Sequence, residues 1–229
     1  MEKDYVASTA ISAFLITVFA LIILPNAAYA QDATFPSTTT VVFDDAENSQ
    51  MIVSGDDVYF VWVDPQSQGG KPDVFFKASH DNGVTFDPPI NLSDNIGFSS
   101  EPQIAVSEGR IYVVWSDDIR DIGGDNEEIF LRISSNNGVV FGSTINLSES
   151  FGRSHSPQLF AVGPTLHVVW EEEATPVSNA EIFYRRTANA GISFEPIINL
   201  SDNAGKSQNP QIDGTVNQVY VTWEDDTPG

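Results

Sequence analysis

Residues 102–115 read PQIAVSEGRIYVVW: a short apolar segment, a Glu-Gly turn, and a second apolar segment ending in tryptophan. The pattern recurs as SQMIVSGDDVYFVW (49–62), PQLFAVGPTLHVVW (157–170) and PQIDGTVNQVYVTW (210–223). Trp62, Trp115, Trp170 and Trp223 are separated by 53, 55 and 53 residues, and each lies twelve residues after Gln50, Gln103, Gln158 or Gln211. Self-similarity at a fixed period marks a repeat array in which each copy is one supersecondary unit. The tryptophan segments are apolar at nearly every position instead of alternating, as a β-strand is when both its faces are buried. Four-stranded sheets stacked face to face, the arrangement of propeller blades, bury them in that way.

The rest of each unit repeats as strictly. An octapeptide appears as SHDNGVTF (79–86), SSNNGVVF (134–141) and TANAGISF (187–194), and INLS recurs at 90–93, 145–148 and 198–201. Asp73, Glu128 and Glu181 precede the asparagines of those INLS sequences by eighteen residues each time. The octapeptide reads as the hairpin between a third and a fourth strand, with VVFGSTINL closing the unit. Gly83, Gly138 and Gly191 supply a positive φ, and Asp81, Asn136 and Asn189 supply a side-chain oxygen for the turn's N–H groups. Ser79, Ser134 and Thr187 open each turn, and Phe86, Phe141 and Phe194 are expected to cover the blade's end. The fold expected is all-β, a β-propeller of four-stranded antiparallel blades, with about three and a half blades in residues 41–229.

The pattern Ser/Thr-x-Asp-x-Gly-x-Thr-Trp/Phe resembles the Asp-box, or BNR repeat, of the sialidase (neuraminidase) superfamily of β-propellers. The resemblance covers residues 41–229; Asp is kept only at Asp81, and Phe stands for Trp in all three copies. It implies a propeller, commonly six-bladed, with these turns on the rim away from the binding face. It does not imply catalysis. The family's sialidases clamp the substrate carboxylate with three arginines, because a planar fork orients a carboxylate in two dimensions. They also use a Tyr–Glu nucleophile pair and an acid/base Asp. Here the arginines are Arg110, Arg120, Arg132, Arg153, Arg185 and Arg186, and only Arg120 and Arg153 occupy segments expected to face a site. The Phe/Tyr-Arg-Ile-Pro motif of the family is absent, and Tyr59, Tyr112 and Tyr220 recur at one strand position, as packing residues do.

The N-terminus reads as an export signal. ISAFLITVFALIIL (11–24) is apolar and PNAAYA (25–30) has an Ala-x-Ala cleavage pattern, although Glu2, Lys3 and Asp4 leave the preceding region without net positive charge. Residues 1–30 are therefore either a signal peptide cleaved after Ala30 or an uncleaved membrane anchor; residues 31–40 form a polar lead-in. Both readings put the remainder outside the cell, secreted or attached at the surface. The chain has no cysteine, which excludes disulfides, thiol nucleophiles and Cys-ligated zinc. Ten Lys+Arg against 32 Asp+Glu give a net charge of −22, which excludes nucleic acid as a partner and leaves a membrane only through the N-terminal segment.

The acids gather in segments expected on one face, densest in DDIRDIGGDNEE (117–128). Candidate binding residues are Asp117, Asp118, Arg120, Asp121, Arg153 and Glu172. Candidate ligands for Ca²⁺, a hard ion that prefers oxygen, are Asp117, Asp121, Asp125 and Glu127; no cofactor is required. His167 is expected in the core, His80 in a turn and His155 at a loop tip. Asn91, Asn146 and Asn199 form N-x-Ser sequons, but their fixed position suggests a strand-ending Asn bonded to its own turn. Three function classes remain. The residues favour a non-catalytic propeller binding a glycan or extracellular protein, over a sialidase-like exo-α-sialidase and over a structural envelope module. The repeat stops inside a fourth unit, which suggests a fragment of a longer protein, or else closure with a second copy.

Overall fold

In the computed structural model, residues 45–67, 70–118, 126–150, 152–173 and 179–227 are described. The two apolar segments of each quoted pattern form an antiparallel hairpin: β1 (Glu47–Ser54) with β2 (Asp57–Asp64), and β5 (Ser99–Ser107) with β6 (Arg110–Asp117). The same pairing joins β9 (Arg153–Val162) to β10 (Thr165–Glu173), and β13 (Ser207–Gly214) to β14 (Val219–Asp225). A third strand follows the tryptophan strand in β3 (Asp73–Ser79), β7 (Glu128–Ser134) and β11 (Glu181–Thr187). The fourth strands, β4 (Ile90–Asn91), β8 (Ile145–Asn146) and β12 (Ile198–Asn199), complete three four-stranded antiparallel sheets, with β13–β14 as a two-stranded fourth. These are propeller blades, and no α-helix occurs among the described residues.

The fourth strands are shorter than expected. VVFGSTINL contributes only Ile145 and Asn146 to the ladder, and Pro88 and Pro89 occupy the corresponding stretch of the first blade. Proline cannot donate to a ladder, and very short outer strands leave little edge to pair with another chain.

The tryptophan strands are buried on both faces, and their alternation assigns each face to a different neighbour. Ile111, Val113 and Trp115 of β6 pack against Tyr59, Val61, Val74 and Phe76 of the first blade. Tyr112 and Val114, one residue out of phase, pack against Leu166, Val168 and Trp170 of the third. Trp115 and Trp170 are wholly buried. The core is thus a series of inter-blade layers, and each buried aliphatic side chain contributes about 1.5–3 kcal/mol. In β14 the same pattern meets no further blade among the described residues, and Tyr220 is exposed.

This topology sorts the connections. In each blade the turns between first and second and between third and fourth strands, the octapeptides among them, emerge at one end, and the second-to-third and inter-blade segments at the other. The first strand of each blade lies beside that of the next, with β5 contacting both β1 and β9, and β9 contacting β13.

Candidate functional site

Acids cluster at the end bearing the segments that join each blade's second and third strands, and most of the described ones are already engaged. At the start of the third strand, Asp73 accepts hydrogen bonds from Ser93 Oγ (2.7 Å) and Asn91 Nδ2 (2.9 Å). Glu128 accepts from Ser148 Oγ (2.5 Å), and Glu181 from Ser201 Oγ. The same serine oxygens accept the backbone N–H of Val74, Ile129 and Ile182. Asn91, Asn146 and Asn199 accept the N–H three residues on, at 2.9, 3.0 and 3.0 Å, which closes the inter-blade turn. These bonds account for the eighteen-residue spacing and for the recurrence of Asn-Leu-Ser.

A second engaged acid stands two residues after Trp115, Trp170 and Trp223. Asp117 Oδ2 accepts from Trp115 Nε1 (3.0 Å), Ser99 Oγ (2.6 Å) and Asn95 Nδ2 (2.9 Å). Glu172 Oε2 accepts from Trp170 Nε1 (2.9 Å) and Ser154 Oγ (3.4 Å), and Asp225 Oδ2 from Trp223 Nε1, Ser207 Oγ and Asn203 Nδ2. The carboxylate therefore ties the end of the tryptophan strand to the segment arriving from the preceding blade. Gly97 lets that segment lie close: a Cβ there would stand 2.6 Å from Asp117 Oδ1 and overlap the Asp118 carbonyl. Burial raises the pKa of Asp117 and Glu172, whereas exposed Asp225 is pulled well below the carboxylate range by hydrogen bonds from Thr227. Desolvation penalises the charged form in the first two, and solvent spares the third.

The expected site residues are distributed accordingly. Asp117 and Glu172 are buried clamps and not face-exposed ligands. Asp118 donates its backbone N–H to Phe98 O. Arg153 Nε donates to Glu127 Oε2 at 2.9 Å. Arg120, Asp121 and Asp125 lie outside the described residues, and among the described residues no three potential metal ligands converge. Arg153 and His155, expected in a loop, belong to β9, because that strand pairs with β10 as far as Glu173. His155 Nδ1 lies 3.1 Å from Ser156 Oγ and 3.9 Å from Glu171 Oε2. His167 is buried against Tyr184 Oη at 2.7 Å, and burial lowers its pKa.

At the opposite end the octapeptide turns are alike. Ser79 Oγ, Ser134 Oγ and Thr187 Oγ1 accept the N–H of Gly83, Gly138 and Gly191 at 2.9, 3.0 and 3.1 Å. Asp81, Asn136 and Asn189 accept the N–H four residues on. Phe141 meets Phe76 edge-on at 4.8 Å, Phe86 packs on Phe60, and Phe194 lies under the Arg185 guanidinium.

One feature that sequence reasoning missed lies where the first strands meet. Each has a bulge: in β5 the ladder steps from Ser100↔Ser116 to Gln103↔Val114. Asn48, Glu101, Ser156 and Asn209 sit at these bulges with φ of 48, 53, 53 and 54°. Left-handed backbone costs a residue with a Cβ about 1–2 kcal/mol. Two of the bulges are held from the neighbouring blade: Glu101 Oε2 accepts Ser156 N–H (2.7 Å), and Glu171 Oε1 accepts Asn209 N–H (2.8 Å). The bulges and the glutamines that follow them line one cavity of about 220 Å³. The recurrent Pro-Gln of 102–103, 157–158 and 210–211 was its signal, since proline is tolerated in a sheet at a bulge.

The sequence matches no family model and no curated protein. The fold is shared with solved structures. A mutant Trypanosoma rangeli sialidase displaying trans-sialidase activity aligns at TM-score 0.56 and 10% identity, over 84% of this chain and 36% of that one. The GH93 α-L-arabinofuranosidase of Fusarium graminearum, complexed with arabinobiose, aligns at 0.55 and 11%, over 81% and 58%. An ulvan lyase of polysaccharide lyase family PL25 aligns at 0.50 and 10%, over 82% and 55%. The chain thus spans between about a third and somewhat over half of these structures. The blades have the fold of a β-propeller, shared with these structures.

Proposed function

We propose that the chain is an exported, non-catalytic propeller that binds a glycan. The observation that carries this reading is the state of the buried loop-end carboxylates. Asp117 and Glu172, the acids two residues after their tryptophans, spend an oxygen on indole and hydroxyl donors of their own blades. A glycosidase needs two carboxyl groups poised across a substrate bond, and acids used as internal clamps are not available for that. The described arginines offer no carboxylate clamp: Arg153 pairs with Glu127, Arg185 with Glu149 and Arg186 with Glu195, in separate places. The glycan half of the reading draws support from structures of the same fold whose names describe arabinobiose, sialidase and ulvan chemistry. Export follows from the N-terminal signal, and we read the octapeptide turns as Asp-boxes.

The test pairs two measurements on the full chain. A glycan array should show binding, and a fluorogenic sialoside should show no turnover. Sialoside turnover abolished by a substitution at the loop end would overturn the non-catalytic reading.

A further inference from the structure

The four glutamines that end the bulges have unspent side chains. Gln50, Gln103, Gln158 and Gln211 line the cavity between the first strands. Among the described residues, no hydrogen bond or ion pair engages their carboxamides. Elsewhere the repeated polar side chains are consumed internally: the Asn-Leu-Ser asparagines, the serines Ser99, Ser154 and Ser207, and Asp117, Glu172 and Asp225 after their tryptophans all have fixed partners. A glutamine repeated in every blade, exposed at Gln50 and Gln211 and half-buried at Gln103 and Gln158, keeps its carboxamide open to a ligand.

Its backbone setting points the same way. Around this cavity stand four non-glycine residues in left-handed conformation, one per blade. Such conformations persist where surrounding structure enforces them, and they concentrate at functional sites, as β-bulges do. The two carboxylates that pin the Ser156 and Asn209 amides hold the cavity rim from adjacent blades.

We infer that this cavity is a binding site for a neutral sugar residue, held by the glutamine carboxamides of successive blades; the inference rests on the glycan reading above. A carboxamide carries donors and an acceptor together, which matches the dual character of a sugar hydroxyl. No lysine or arginine lines the cavity, while Glu101 does, so a carboxylated or sulfated sugar meets repulsion without a compensating fork. At about 220 Å³ the space is smaller than a drug-sized ligand needs and suits one sugar unit.

Arabinobiose, as a neutral probe, and 3′-sialyllactose, as an anionic one, are titrated into the full chain by calorimetry, beside an array of neutral and acidic glycans. In parallel, the glutamine side-chain NH₂ signals of the wild type are followed by ¹⁵N NMR. The expected result is binding of neutral sugars only, with shifts in the Gln103 and Gln158 signals. The double variant Gln103→Leu, Gln158→Leu should bind at least about tenfold more weakly at unchanged melting temperature. Should the variant not fold, the wild-type NMR shifts decide alone. Glycan binding that moves no glutamine signal would overturn the inference while leaving the glycan reading intact. Preference for sialyllactose would overturn the neutral class. Silence across the whole array would sink the glycan reading, and this inference with it.

Discussion

The indole N–H of Trp115 reaches Asp117 Oδ2 at 3.0 Å, two residues along the same strand, and the pair is buried together. Residues i and i+2 of a strand share a face, so in the second, third and fourth blades the acid two places after tryptophan falls under the indole edge. Trp170–Glu172 and Trp223–Asp225 repeat the contact. The carboxylate serves the blade junction, and three donors converge on one of its oxygens while the other, Asp117 Oδ1, has no partner.

That geometry predicts opposite outcomes for two substitutions. Asp117→Ala strands the indole, Ser99 and Asn95 donors and should cost about 1–3 kcal/mol in denaturant unfolding. Asp117→Asn keeps an acceptor and removes the charge that burial disfavours, so stability at neutral pH should hold or rise. Because burial raises the folded pKa of Asp117, its contribution is fully present below the unfolded value near 3.9 and is lost as pH rises through the folded value. Calorimetry between about pH 4 and 7 should therefore show a flatter stability profile for Asp117→Asn than for wild type. An unchanged profile, or a destabilised Asn variant, would show that the acid is ionised and needed.

The octapeptide turns separate strain from crowding. Gly83 and Gly138 both have positive φ, 80 and 88°, so alanine at either carries the left-handed cost of about 1–2 kcal/mol. At Gly83 a new Cβ finds its nearest atom in Phe86 at 3.9 Å, whereas at Gly138 it stands 2.6 Å from Phe76 Cζ and 3.2 Å from Ile111 Cδ1. Gly138→Ala should lower the melting temperature well beyond Gly83→Ala. Equal losses would mean that the Phe76 ring yields without cost.

Much of this was legible in the sequence, because the repeat period and the doubly apolar tryptophan strands specify stacked blades. The Asn-Leu-Ser turn was also foreseeable, since its bonds are local. The clamps were misjudged: Asp117 and Glu172 look like surface acids until strand alternation is applied to the Trp-x-acid spacing. The glutamine cavity escaped notice for a different reason. Its lining depends on bulges, which shift register and are visible only as a proline before each of three glutamines.

Asp81 is the one carboxyl at its turn position, since its counterparts are Asn136 and Asn189. Hydrogen bonds from the Thr85 hydroxyl and backbone hold its pKa down to about 2. A depressed carboxyl contributes stability above its unfolded value, near 3.9, and loses it as pH falls toward 2. Asp81→Asn should preserve the turn, as the other two blades do, and should make unfolding less acid-sensitive in that window. Equal acid midpoints for variant and wild type would refute the assignment.

Arg185 crosses a blade boundary. From β11 its Nη1 donates to Leu147 O at 2.8 Å and to Glu149 Oε1 at 2.9 Å, both in the segment leaving the second blade. Arg132, at the same repeat position, sends Nε only to Thr144 Oγ1 within its own blade. Leu147 is wholly buried, so removing the guanidinium strips its carbonyl of a charged donor and leaves it poorly compensated. Arg185→Met, which keeps the aliphatic stem over Phe194, should cost about 1–3 kcal/mol in urea unfolding. Arg132→Met, losing one exposed bond, should stay within about 0.5 kcal/mol of wild type. Comparable losses at both positions would show that the arginines act through stem packing alone, and that the second and third blades are held by their apolar layer without this bridge.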